Sequence, residues 1–327
     1  MKIRQIATYR PSRIISADEI DTTLNLKKGT AMKLSGVANR RWVSAEETVT
    51  HMGAQVLQQV LDQAQLVPAD LDALIYTGAS RAQLVPCTAA LIQEAAGHQK
   101  YSCFDIDATC LGFLKALEIA NLYLASGTYQ RLVIVVSECS SKALNPKSPK
   151  SYSLFGDGAV AYLLECDQGL SIKHLGSQFA TYGQFASECR ISGGGAILPG
   201  YDYRESNHDQ FLFKMNGRKL YLEATRLLPS HLDTFLKKQN LTLSDIDWVV
   251  PHQASRTAMD LLAKRLKIPK HKLIDILADH GNQIAASIPI ALHHLLTQRD
   301  VLPGQKILLI GTGAGLGLGT TLLEIGK

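Results

Sequence analysis

The sequence predicts an α/β fold built from two similar halves, and three observations carry that prediction. Short strands, apolar along their whole length, alternate with longer helical patterns, which is the signature of strands covered by helices on both faces. Two stretches also recur: residues 66–75 (LVPADLDALI) resemble residues 241–250 (LTLSDIDWVV), and residues 130–136 (QRLVIVV) resemble residues 305–311 (QKILLIG). Both recurrences share one offset, since Asp72 and Asp247 lie 175 positions apart, as do Arg131 and Lys306. A single offset at two separate places indicates a duplicated unit, and the period is far too long for a solenoid. The halves are expected at residues 1–168 and 169–327.

Taken in order, the helical patterns fall at 48–64, 110–126, 217–238, 256–266 and 285–297. The strands fall at 73–76, 132–136, 159–165, 248–251, 307–310 and 320–324. The stretch 140–152, with Lys142, Pro146, Lys147, Pro149 and Lys150, has no counterpart of equal length in the second half and reads as a surface insertion.

Composition narrows the function. The 327 residues are 46% hydrophobic and 19% charged, which supports a sizeable core and excludes long disordered tracts. The net charge is +5 with Lys and Arg scattered, so an anionic small molecule or carrier protein fits better than nucleic acid. No apolar run approaches the roughly 18 residues of a membrane span, and residues 1–6 hold too short an apolar stretch for a signal peptide. A cytosolic location is the expectation. The six cysteines, Cys87, Cys103, Cys110, Cys139, Cys166 and Cys189, form no C-x-x-C pair, so free thiols are expected and a zinc site is not.

Three residues stand where chemistry is usually built. Cys110, in FDIDATCLGF, sits where a strand turns into a helix, and the helix N-terminus favours a thiolate. His252, in VVPHQAS, directly follows an apolar strand, and Asn282, in DHGNQIAASIP, precedes an apolar helix. A nucleophilic thiol needs a polar partner and an enolate needs hydrogen-bond donors, so Cys, His and Asn supply both if the fold unites them. The run GTGAGLGLG at 311–319 contains no G-x-G-x-x-G and leads into a strand, so it reads as a loop of close backbone approach rather than a dinucleotide site. Asp157, in FGDGA, reads as a turn-former.

With these residues in place, the sequence resembles the β-ketoacyl-ACP synthase III family of the thiolase superfamily. The likeness runs over essentially the whole chain and keeps the order of five motifs: ATCLGF, FGDGA, PHQA, HGNxxAASIP and the C-terminal Gly-rich loop. It implies a five-layered αβαβα pseudo-dimer, with Cys110, His252 and Asn282 catalytic and the backbone N–H groups of Cys110 and Ala314 as oxyanion donors. The implied reaction loads an acyl group from acyl-CoA or acyl-ACP onto Cys110. A decarboxylative Claisen condensation with a malonyl thioester follows, in fatty-acid or specialised metabolite biosynthesis, without metal or nucleotide cofactor. The resemblance also implies a homodimer paired across an edge strand near 105–108. Thr30 and Leu34 stand where starter enzymes of the family carry the Trp and Arg that sandwich adenine. Val85 stands where short-chain starters carry a pocket-closing Phe that reaches across the dimer, which points to a medium or longer acyl chain. Three alternatives stay open: an acyltransferase that does not decarboxylate, a head-to-head acyl condensation, and a catalytically silent partner subunit.

Overall fold

The structure, a computed structural model, describes residues 1–326. The first half runs β1 (Lys2–Tyr9), β2 (Arg13–Ser16), α1 (Ala17–Thr23), α2 (Thr30–Ser35), β3 (Asn39–Trp42), α3 (Val49–Ala64), β4 (Ala73–Thr77), α4 (Thr88–Ala95), β5 (Ser102–Ile106), α5 (Gly112–Ala125), β6 (Arg131–Glu138), α6 (Pro149–Tyr152) and β7 (Gly158–Glu165). The second half runs β8 (Leu170–Thr181), β9 (Cys189–Arg190), β10 (Lys214–Met215), α7 (Gly217–Lys238), β11 (Trp248–Pro251), α8 (Arg256–Arg265), α9 (Leu277–His280), α10 (Ser287–Gln298), β12 (Lys306–Gly313) and β13 (Gly317–Ile325). The 168/169 division falls in the turn between β7 and β8.

The repeat is visible in strand pairing. β4 lies parallel to β6 with Ala73 opposite Leu132, and β11 lies parallel to β12 with Trp248 opposite Ile307, so the register is carried over by the same 175 positions. Each pair then continues through two antiparallel neighbours, β7 and β1 in one half, β13 and β8 in the other. Local devices repeat too. The Asp70 carboxylate accepts the Val67 N–H, as Asp245 accepts that of Thr242, and Asp72 accepts the Arg131 N–H as Asp247 accepts that of Lys306. The halves differ at one edge: β5 pairs with β4, whereas beside β11 only an isolated bridge, Val249 to Leu273, remains.

The strands form one hydrogen-bonded series, β11-β12-β13-β8-β1-β7-β6-β4-β5, but β1 and β8 are joined only at Lys2–Ser171 and Ile3–Leu170, so it acts as two sheets. Between them lie α5 and α10. Their inward residues, among them Phe113, Leu117, Ala291 and Leu295, share one apolar cluster with strands of both halves. Burying each such large side chain contributes about 1.5–3 kcal/mol. Helix α3 covers the outer face of the first sheet, through Met52, Val56 and Val60, and α7 and α8 cover that of the second, through Leu232, Phe235 and Leu262. The result is the five-layered thiolase arrangement. Among the described residues no helix is long and apolar enough to cross a membrane.

Candidate active site

Cys110 lies in a single 3₁₀ turn, Thr109–Leu111, between β5 and α5. Thr109 holds a left-handed conformation with φ 47°, which is costly for a β-branched residue and marks a turn fixed by its surroundings. Gly112 opens the helix because any Cβ there would overlap the Thr77 hydroxyl of β4. Cys110 therefore faces a cavity of about 1410 Å³ that His252, Asn282 and Ala314 also line. Burial pushes its thiol well above the ordinary cysteine range, with Cys189 and Glu138 adding to the effect, while the N–H groups of Ala314 and of Cys110 itself pull the other way. The resting group is thus a thiol. The helix N-terminus does not make it a thiolate, because α5 starts two residues later and desolvation outweighs the two donors.

The glycines at 311–319 earn their place by close approach. Cβ atoms at Gly311 and Gly313 would come within 2.9 Å of the His252 Cβ and the Thr109 Oγ1 respectively. The hairpin of β12 and β13 thus lies directly against the cysteine turn, which brings Ala314 to the cavity that Cys110 faces.

His252 follows β11, its N–H bonded to the Ile310 carbonyl at 2.8 Å. Gln253, fully buried, fixes this segment by donating to Pro251 and Ile274 carbonyls and accepting the Ile276 N–H. The His252 Nδ1 is buried without a partner, and burial lowers the imidazole to about 4. The ring is neutral at pH 7. A bare lone pair is a smaller loss than an unpaired N–H, so Nδ1 is the unprotonated nitrogen and Nε2–H is left as a donor on the cavity side.

Asn282 is reached through Gly281, whose φ of 68° and close contact with the Leu154 carbonyl suit no larger residue. Its Oδ1 accepts the Ile284 N–H at 2.8 Å and its Nδ2 donates to the Ala254 carbonyl at 3.2 Å, tying this loop to the histidine segment. An amide nitrogen has two hydrogens, so one N–H remains for the cavity. Ile284, at φ 49°, is a second β-branched residue held left-handed beside the site. His280, lowered to about 4 chiefly by burial, does not line the cavity.

Several residues depart from expectation. Asp157 is more than a turn-former: fully buried, it accepts the Val43 and Ser141 N–H groups and both the Ser140 and Ser141 hydroxyls. The stretch 140–152 is not a surface insertion, since Ser140, Leu144 and Ser151 are buried and Lys142, Leu144 and Lys150 line the cavity. Val85 is 81% exposed and does not line the cavity of its own chain.

Sequence reasoning missed Glu138. At the end of β6, fully buried, its carboxylate accepts the Ala79 and Ser80 N–H groups at 2.9 Å and the Ala285 N–H at 3.2 Å, clamping the loop beyond Asn282 to the loop after β4. Burial raises this carboxyl to about 7, against the pull of those donors. A folded-state pKa above the unfolded one gives stability that is present below about 4.5 and lost as pH rises through about 7. Glu138→Gln removes that titration, so its melting temperature relative to wild type should climb between pH 5 and pH 8 in calorimetry. Parallel curves would rule the assignment out.

Residues 104–183 match the family model of 3-oxoacyl-[acyl-carrier-protein (ACP)] synthase III, and residues 236–325 match that of its C-terminal part. The β-ketoacyl-[acyl-carrier-protein] synthase III of Clostridium perfringens (strain ATCC 13124) is 31% identical over 320 residues, 97% of each chain. The crystal structure of 3-oxoacyl-[acyl-carrier-protein] synthase III from Aquifex aeolicus superposes with a TM-score of 0.87 at 28% identity, covering 99% of both chains. OleA of Xanthomonas campestris superposes with a TM-score of 0.84 at 20% identity, covering 99% of this chain and 96% of the other, a likeness of fold alone.

Proposed function

This chain belongs to the β-ketoacyl-ACP synthase III family of condensing acyltransferases, and from that premise we propose that Cys110 carries the acyl group while His252 and Asn282 drive decarboxylation of a malonyl thioester. Cys110 Sγ attacks the donor thioester; the new C–S bond forms, the old one breaks, and the cysteine proton leaves on the carrier thiol. The malonyl thioester then enters. Its carboxylate leaves as CO₂, and the enolate oxygen that forms accepts hydrogen bonds from His252 Nε2 and Asn282 Nδ2. The enolate carbon attacks the acyl carbon, and Cys110 departs and takes up a proton from solvent. CO₂ loss supplies the drive, so the sequence of steps calls on no metal or nucleotide.

One observation carries this reading: Cys110, His252, Asn282 and Ala314 line one cavity. In this reading the backbone N–H groups of Cys110 and Ala314 hold the oxyanion of a tetrahedral intermediate. The cavity wall also bears Lys142, Lys150, Arg190, Arg218 and Arg265, which suits the anionic phosphopantetheine of coenzyme A or of an acyl carrier protein. Product analysis tests the reading. An acyl thioester and a malonyl thioester should give a β-ketoacyl thioester two carbons longer; recovery of both substrates unchanged would end it.

We take residues 1–168 and 169–327 as the two halves of one protomer, and the protomer as half of a homodimer. β5 is the free edge of the first sheet, and Leu84 and Val85 beside it are largely exposed. An exposed edge strand is normally covered, and pairing β5 with its copy covers it. An obligate interface of this sort buries more than about 2,000 Å². Sedimentation at micromolar concentration should therefore give twice the chain mass, and a monomer would contradict the pairing.

In that dimer Val85 reaches the partner's acyl recess, and an isopropyl group there leaves room for medium or longer chains. Each methylene buried contributes about 0.8 kcal/mol. Wild type should acylate Cys110 faster with a twelve-carbon donor than with acetyl, and Val85→Phe should reverse that order. An unchanged length profile in the variant would remove Val85 from the pocket.

A further inference from the structure

Two cysteines that the reaction does not use meet where α4 rests on β5. Asp105 of β5 accepts the Thr88 and Ala89 N–H groups at 2.7 and 2.9 Å, which fixes the start of α4 over that strand. Side chains alternate along a strand, so Cys103 stands on the same face as Asp105, toward α4. Cys87 immediately precedes α4, and its S–H donates to the Cys103 carbonyl at 3.9 Å. The Cys103 S–H donates to the Tyr101 carbonyl at 3.8 Å. Thiols are weak donors, so these bonds hold neither sulfur hard in its present direction. Both side chains are half-buried and pack against the same apolar cluster.

The segment that leads into Cys87 is open. Every residue from Arg81 to Pro86 is exposed, Val85 among them. Pairing of β5 with its copy runs in the plane of the sheet and leaves the face under α4 as it is.

We propose that Cys87 and Cys103 are a redox-active pair, which a small disulfide such as oxidised glutathione closes to an intramolecular disulfide that ties the segment 81–86 to β5. Cys87 attacks one sulfur of the reagent; its S–S bond breaks, and one glutathione leaves with the Cys87 proton. Cys103 then attacks the Cys87 sulfur of the mixed disulfide, and the second glutathione leaves with the Cys103 proton. The pair gives up two electrons and the reagent takes them. Burial raises the Cys103 thiol to about 12, with Cys87 and Asp105 adding to the effect, which suits Cys103 to the second, intramolecular step. In reducing surroundings the same exchange runs backwards, and both thiols are free, as they are in this structure.

Peptide mapping tests the pair. Trypsin places Cys87 in residues 82–100, and Cys103 in residues 101–115 together with Cys110. In Cys110→Ala, oxidised glutathione should therefore couple these two peptides, remove two titratable thiols, and be fully reversed by dithiothreitol. Fragment-ion sequencing of the coupled peptides from wild type locates the bond independently and should place it on Cys103. In Cys103→Ala the glutathione should stay on Cys87. Amide exchange over residues 82–87 should slow about tenfold on oxidation of Cys110→Ala. A lasting glutathione adduct on Cys87 with Cys103 present overturns the proposal. So do a bond between two chains, seen as twice the chain mass without reductant, an unmodified Cys87 in Cys103→Ala, and unchanged exchange. None of these readouts uses an acyl donor, so they stand apart from the condensation on Cys110.

Discussion

Cys110→Ala is expected to abolish acyl-enzyme formation while the protein folds and dimerises as before. The substitution removes one sulfur from a half-buried side chain, and the turn that presents it is held by Thr109, by Gly112 against Thr77 and by the glycines of β12 and β13, none of which needs the sulfur. Cys189 and Cys139 also line the cavity, so the variant asks whether another thiol can substitute. Neither is expected to. Burial lifts all three thiols above the ordinary cysteine value, so acidity does not single one out; Cys110 alone sits in the turn that opens α5, whereas Cys139 follows β6 and Cys189 opens β9. Intact-mass analysis after incubation with an acyl thioester should show one adduct on wild type, Cys103→Ala and Cys139→Ala, and none on Cys110→Ala. An adduct on the last protein would move the nucleophile elsewhere.

His252→Ala and Asn282→Ala should each retain acylation of Cys110 in part and lose malonyl decarboxylation by about 10²–10³-fold, the effect of removing one donor to a developing oxyanion, about 3 kcal/mol. The split follows from the assigned roles: backbone groups serve the acyl step, whereas His252 and Asn282 bring side-chain donors to the chamber they line. The pH dependence has a definite sign. His252 titrates near 4 because it is buried, so it stays a neutral donor across pH 5–8 and decarboxylation should show no inflection at the ordinary histidine value of about 6.5. Single-turnover CO₂ release measured over that range checks both points. Equal loss of acylation and decarboxylation would make His252 a proton relay instead.

Much of this was legible because short-range signals and the long-range fold agree. The apolar runs at β4, β6, β11 and β12 pair in the register that the 175-residue offset requires, and each candidate residue sits at the end of an element the sequence marks. What was not legible depends on contacts distant in sequence. Glu138 reads as the polar end of an apolar strand; its role arises from Ala285, 147 positions away. The lysines and prolines of 140–152 read as surface because composition does not reveal that Asp157 draws Ser140 and Ser141 inward. β8 escaped notice because its twelve residues are mostly half-buried and mix polar with apolar side chains, blurring both periodicities.

The most direct test of the central claim uses acyl-enzyme isolated free of its donor. Challenged with a malonyl thioester in a single turnover, the Cys110 adduct should disappear in step with release of one CO₂ and appearance of one β-ketoacyl thioester per adduct consumed. An adduct that persists while CO₂ is released, or one that passes its acyl group unextended to an amine or hydroxyl, would contradict a condensation carried on Cys110.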